Sequence, residues 1–387
     1  MDSLLLTDTQ IALQKMAKEF ALNVMRPRSL ELDRNQDPEK CFSWDVIEEG
    51  SKLGLRTLVV SEKNGGGGVD DLVTMILVGI EMGYGDLGMA ACFNQCWWLS
   101  RILDQLTTED QRQRLLKPFV EDHRFLLSRA VTEPNAGTDN NFYDAPGAGF
   151  AMTAIPDGDH FVLNGTKVFI TNGGVASLYV LSARTDPKVG ASKGTTIFLV
   201  PGDSPGLTVA RYEDKPGRRC ALNAELHFQD VRVPRENILG DVNQPPPGMP
   251  ALVRRQFSAV MNLGVARAAF EMALEHAGER IQGGKPIREH QAIKMMLGEM
   301  WILLETARAV ALRGAQMIEA GADSKCSDWI KNVCSEYSYQ VCQIALEVFG
   351  AYAYSRDNPV EKFYRDALAY LHPRPSHIVR MRIADRI

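Results

Sequence analysis

From the N-terminus to about residue 125, apolar residues recur at three- and four-residue spacing, which predicts helices. The first, MDSLLLTDTQIALQKMAKEF, carries Thr7 or Asp8 where a helix cap belongs. LVTMILVGIEMGYGDLGMAACFNQCWWLSRILDQL has too many apolar positions for a helix that faces water. The GGGGVDD segment before it reads as a flexible turn and not as a phosphate loop, because no Lys-Ser/Thr follows and no strand clearly precedes. Between about 126 and 240 the period changes. IPDGDHFVLNGTKVFITNGG places a DG turn between short β-branched and aromatic runs, and SLYVLSAR, TTIFLVPG, LTVARY and AELHFQDVRVP continue at strand length. These predict an all-β insert, a small barrel. Helices return from about 250 in GVARAAFEMALEHAGERIQ, MLGEMWILLETARAVALRGAQMIEA and DWIKNVCSEYSYQVCQIALEVFGAYAY, long and apolar on one face, which predicts a bundle. The expected organisation is α+β: helical 1–125, β 126–240 and helical 241–387, with DVNQPPPGMP as linker.

Composition narrows the function classes. With 45% hydrophobic and 24% charged residues among 387, the chain can bury a large core. A net charge of −5 without a basic block gives no support for nucleic-acid binding. No apolar run reaches membrane-spanning length and the start does not read as a signal peptide, so a cytoplasmic or organelle-matrix protein is expected. Seven cysteines without CxxC pairs argue against disulfides and structural zinc, and Cys92 and Cys96 read as a core pair.

Four segments carry candidate chemistry. In AVTEPNAGTD (130–139), Gly137 permits a tight turn while Thr132 and Thr138 offer hydroxyls beside free N–H groups. KVFITNGG (167–174) and KPGRRCALNAELHFQDVRVPRENILG (215–240) follow on strands. Near the end, FYRDALAYLHPRPSHIVRMRIADRI sets Pro373 and Pro375 around Arg374, with His372 and His377 just outside. The prolines terminate a helix and fix a loop.

In this order and spacing the segments resemble the acyl-CoA dehydrogenase family over almost the whole chain. The resemblance implies a helical domain, a β-barrel and a four-helix bundle enclosing FAD, in a tetramer, with an acyl-CoA substrate and an electron-transfer flavoprotein as electron acceptor. Ala130, Val131, Thr132, Gly137 and Thr138 would then hold the flavin ring and pyrophosphate, with Thr138 bordering the CoA channel. Phe169 would cover the flavin, Ile170 would be among the cofactor-binding residues, and Thr171 would hydrogen-bond near the reactive N5. Arg280 and Gln291, in AGERIQGGKPIREHQAI, would reach the neighbouring subunit's FAD pyrophosphate; Gly283 and His290 stand where the family usually has Phe. In ALEVFGAYAYS the positions of the family's Gln and GGxG turn are Glu347, Gly350, Ala351 and Ala353; Glu347 and the two alanines imply a weaker grip on the dinucleotide. Of the CoA-holding Asp and Arg, Arg255 matches the Arg and Leu252 replaces the Asp.

The catalytic glutamate of the family's YEGT segment falls, counting nine residues from Arg365, on Arg374, with Pro375 and Ser376 in the glycine and threonine positions. The other place at which the family carries this glutamate is Arg254. A guanidinium cannot accept an α-proton near neutral pH. Arg374 and Arg254 could instead favour an anionic substrate group or be solvent-facing charges, and His372 or His377 has the pKa of a replacement base. Three functions are therefore open: an acyl-thioester dehydrogenase with an altered base; a flavoenzyme of the same fold that eliminates from a β-substituted acyl-CoA or hydroxylates with oxygen; and a non-catalytic subunit of a hetero-oligomer.

Overall fold

The structure is a computed structural model and describes residues 6–137, 144–254, 258–321, 325–372 and 376–385. Helix α1 (Asp8–Phe20) starts where its cap chemistry places it. The Thr7 hydroxyl oxygen accepts from Gln10 N at 3.2 Å and the Gln10 side chain accepts from Thr7 N at 3.1 Å. Helices α2 (Arg26–Asp33), α3 (Trp44–Lys52), α4 (Leu72–Gly85) and α5 (Leu87–Leu106) follow. The long apolar run is broken in two by Asp86, whose extended backbone leaves α4 and whose carboxylate accepts from Met89 N at 2.8 Å to cap α5.

The glycine run between α3 and α4 is a packed turn. A Cβ at Gly66 would lie 2.3 Å from the Val60 carbonyl oxygen, and one at Gly67 would lie 2.8 Å from that of Leu58. Asp104 of α5 holds the same turn by accepting from Ser61 N and Ser61 Oγ, each at 3.0 Å.

The middle of the chain is one curled seven-stranded sheet: β1 (Leu127–Ala130), β2 (Thr153–Asp157), β3 (His160–Thr171), β4 (Leu178–Arg184), β5 (Thr195–Pro201), β6 (Leu207–Tyr212) and β7 (Asn223–Pro234). Its order is β1-β4-β2-β3-β7-β6, with β5 antiparallel on β4. Both faces of β4 are buried. Tyr179 and Leu181 join the sheet's own core with Phe161, Phe198 and Leu226, whereas Leu178 and Val180 face the helices. That second face packs the sheet against α5.

Helices α6 (Met261–Glu279), α7 (Gln291–Glu319), α8 (Lys325–Phe349), α9 (Val360–Ala367) and α10 (Ser376–Ala384) complete the chain, with a small ribbon of β8 (Ile281–Gln282) and β9 (Lys285–Pro286) between α6 and α7. The two helical regions share one apolar core, in which Phe20, Ile76, Phe93 and Trp97 meet Leu263, Phe270 and Ala311. Its closest point is the crossing of α4 and α6. A Cβ on Gly83 would lie 2.0 Å from the Met261 carbonyl oxygen, and one on Gly264 would lie 2.0 Å from that of Ile80. Only glycine lets these backbones meet. All seven cysteines are free and buried; burial pushes the thiols of Cys92 and Cys96 up to about 12 and about 11. No helix among the described residues is long and apolar enough to cross a membrane.

A buried polar cluster joins the three regions. Lys362 of α9 donates to Asp86 at 2.8 Å and to Asp366 at 2.6 Å. Ser29 donates to Asp86 at 2.6 Å, and Arg218 N, from the β6–β7 connection, donates to Asp366 at 2.6 Å. At its edge Arg365 donates to Asp33 at 2.7 Å and to Glu361 at 2.6 Å.

Candidate functional site

The chain leaves β1 through Ala130, whose side chain lies in the sheet's core, and turns tightly at 133–136, where Glu133 N donates to Ala136 O at 2.9 Å and Ala136 N to Glu133 O at 3.2 Å. The turn is anchored from beneath. Lys167 of β3 donates to Glu133 at 2.7 Å and to the Val131 carbonyl at 3.0 Å, and the other Glu133 oxygen accepts from Ala151 N at 2.6 Å. Burial pushes Lys167 down to about 8, against the pull of Glu133. Thr132 is tied to β3 through its carbonyl, which accepts from Val168 N at 2.9 Å. Gly137 ends this described stretch, with open space around the position of a Cβ. Thr138 lies outside the described residues.

Beside this turn β3 bulges. Phe169 takes a left-handed backbone conformation (φ +58°), which drives its ring outward, 59% exposed. Ile170 turns inward and is buried in the sheet's core, so its side chain is not on this surface. Thr171 is half-buried and paired with Asn223 of β7. Its hydroxyl oxygen accepts from Asn223 Nδ2 at 3.3 Å, and its own proton has no acceptor among the described residues. An exposed aromatic held by its backbone beside a hydroxyl whose proton has no described acceptor fits a planar ring that offers an acceptor atom.

A second group gathers on the C-terminal bundle. Arg280, Glu347, Gly350 and Ala351 line one open cavity of about 580 Å³ together with His276 and Tyr352. Arg280 closes α6, with its guanidinium 5.5 Å from the Tyr352 ring centroid. His276 stacks on Phe349 at 4.3 Å, and burial followed by Arg280 holds its pKa below the usual histidine value. Gly350 has φ +59°, a conformation that favours glycine, and Ala351 is exposed at its edge. Gln291 is exposed at the start of α7, next to His290, which lines the cavity. His290 Nε2 lies 2.9 Å from the Gln282 carbonyl oxygen, tying α7 to the ribbon. An arginine, a left-handed glycine and aromatic faces around an open cavity fit the phosphate and base of a nucleotide. This group and the Thr132–Thr171 surface do not share a described cavity.

The C-terminal candidates divide. Arg374, Pro373 and Pro375 lie outside the described residues, as does the side chain of Ser376, the first residue of α10. His372 and His377 are exposed and have no hydrogen-bond partner among the described residues. Arg254 ends a short helix, Met249–Arg254, with its side chain outside the description, and Arg255 is also outside it. The residue in the aspartate position, Leu252, is buried. Reading the sequence missed the Glu133–Lys167 anchor and the Lys362 cluster. The i,i+4 spacing of Lys362 and Asp366 was the visible signal, and it looks the same in a solvent-exposed ion pair.

Comparison with known proteins agrees with this architecture. Family models described as the N-terminal, middle and C-terminal domains of acyl-CoA dehydrogenase match residues 7–123, 128–231 and 251–387. The chain is 35% identical over 378 residues, 94% of this chain and 93% of the relative, to a short-chain specific acyl-CoA dehydrogenase of Megasphaera elsdenii. The solved structure of butyryl-CoA dehydrogenase from Megasphaera elsdenii superposes with a TM-score of 0.88 at 32% identity, covering 98% of both chains. A solved structure described as the electron transferring flavoprotein of Acidaminococcus fermentans also superposes with a TM-score of 0.88, at 29% identity, covering 98% of this chain and 97% of that one.

Proposed function

The chain belongs to the acyl-CoA dehydrogenase family, and from this premise we propose that it is an FAD-dependent oxidoreductase acting on the CH–CH group of a short-chain acyl-CoA, with electrons passed to an electron-transfer flavoprotein and an altered catalytic base. The observation that carries the reading is the exposed, left-handed Phe169 beside half-buried Thr132 and Thr171, the Thr171 hydroxyl having no acceptor among the described residues. FAD, when bound, supplies the acceptor for the two electrons of the oxidation. Phe169 covers the ring, Thr171 donates to it, and the anchored turn at 131–136 fixes the distance between the two strand ends. Arg280, Gln291, Glu347, Gly350 and Ala351 serve the nucleotide half of a neighbouring subunit's FAD, which accounts for their separation from the Thr171 surface. Exposed Met295, Trp301 and Ile302 on α7 support an assembly of subunits.

The short-chain substrate class and the electron-transfer flavoprotein are carried over from the relatives' names. In this reading Arg374, nine residues after Arg365, takes the place of the usual base, and a guanidinium there cannot take the α-proton. Removal of a general base typically lowers rates by about 10²–10⁴-fold, so the native rate is expected to be low unless His372 or His377 substitutes. Anaerobic addition of butyryl-CoA to the purified chain tests the reading. Loss of the visible flavin band, slow or fast, supports it; a flavin that stays oxidised with every short-chain acyl-CoA overturns it.

A further inference from the structure

Lys215 sits in the turn between β6 and β7, whose position α9 fixes. A Cβ at Gly217 would be 2.1 Å from the Arg365 carbonyl oxygen, and Arg218 N donates to Asp366. The ammonium meets three acceptors: the Arg218 carbonyl at 3.0 Å, the Ala221 carbonyl, and Asn223 Oδ1 at 2.7 Å. Three donors meet three acceptors, and an ammonium accepts nothing. The amide of Asn223 is therefore oriented. Its oxygen must face Lys215, so its Nδ2 must face the other way, where it donates to the Phe169 carbonyl at 2.8 Å and to Thr171 Oγ1 at 3.3 Å. With one lone pair of Thr171 Oγ1 taken by that donor, the Thr171 proton points away from Asn223.

We infer that Lys215 and Asn223 are positioning residues that set the direction of the Thr171 hydroxyl, so that it serves the bound flavin as a donor. This inference rests on the FAD reading given above. The device is a hydrogen-bond chain of fixed polarity, Lys215 to Asn223 to Thr171 to ligand, and a cation that can only donate stands at its head. It also joins the left-handed Phe169 to the same amide, so the covering ring and the donating hydroxyl share one support.

Asn223→Asp inverts the chain at nearly constant shape. A carboxylate keeps the Lys215 contact yet cannot donate, so Thr171 must turn its proton inward. Apoprotein of the full chain is titrated with FAD and binding is followed by flavin fluorescence, for wild type, Asn223→Asp, Thr171→Val and the double variant. Burial, and then Arg218, push Lys215 down to about 7, so the titrations are run below that pH, where the group is an ammonium. The expected result is that each single variant weakens FAD binding by a few-fold to about tenfold, the scale of one hydrogen bond, and that the double variant is no weaker than Asn223→Asp alone. An Asn223→Asp protein that binds like wild type, or losses that multiply in the double variant, overturns the inference. Should Asn223→Asp fail to fold by circular dichroism, Lys215→Met with and without Thr171→Val is read in the same way. A wild-type apoprotein that takes up no FAD defeats the FAD reading and this inference together, which separates the two failures.

Discussion

Replacing Lys362 by Met removes the one cation from a cluster that otherwise holds two carboxylates. The Lys362, Asp86 and Asp366 side chains are 2%, 1% and 1% exposed, so water cannot take over either carboxylate. The wild-type cluster has a net charge of −1 by these three groups, and the variant would hold −2 in the same volume. Breaking a buried pair by removing one partner costs about 3–5 kcal/mol. Two changes in pH response go with that loss. Asp366 and Asp86 hold the wild-type Lys362 well above its ordinary value of 10.5, although burial opposes them. A raised pKa of this sign gives a contribution fully present below 10.5 and lost only at more alkaline pH. In the variant, burial acts on Asp366 without the opposing ammonium, so its pKa rises further and the folded state gains as pH falls. Urea unfolding followed by far-ultraviolet circular dichroism, at neutral and at mildly acidic pH, measures both. Adding Asp366→Asn to Lys362→Met is expected to restore about 1–3 kcal/mol, because the amide still accepts from Arg218 N and one bare charge is gone. A single variant within about 1 kcal/mol of wild type, the usual scale for an exposed pair, would refute the reasoning, as would a double variant less stable than the single.

Other substitutions probe the remaining parts. Gly264→Ala puts a methyl group 2.0 Å from the Ile80 carbonyl oxygen and is expected to destabilise by about 1–3 kcal/mol or more in the same unfolding assay. Arg280→Met should leave unfolding unchanged and weaken FAD binding about 10- to 100-fold, the scale of lost charge-assisted hydrogen bonds, as read by titration of the apoprotein. Arg374→Glu should raise anaerobic flavin reduction by butyryl-CoA, by about 10²–10⁴-fold if no other base acts, in a stopped-flow measurement. An unchanged rate in a folded, flavin-loaded variant would place the base elsewhere.

The parts of the structure written in local sequence were legible in it. Thr7, one of the two cap candidates, caps α1, and the DG turn at Asp157–Gly158 joins β2 to β3. What sequence reading could not supply are contacts between segments remote along the chain. Asp86 and Lys362 are 276 residues apart, and Asn223 reaches Thr171 across 52. Nothing local marks Lys362 as buried, since Lys and Asp at i,i+4 more often decorate an exposed helix face. The glycine run reads locally as a flexible turn because packing against Val60 and Leu58 has no local signature either. Ile170 belongs to a motif of surface residues, yet the bulge at Phe169 reverses the alternation and sends it inward.

The most direct test is the identity and amount of flavin in the chain purified under native conditions, read from its visible spectrum and from the cofactor released on denaturation. FAD in stoichiometric proportion to the chain is the expected result. A colourless protein that also takes up no FAD when reconstituted would contradict the assignment of Thr132, Phe169 and Thr171 as a flavin surface.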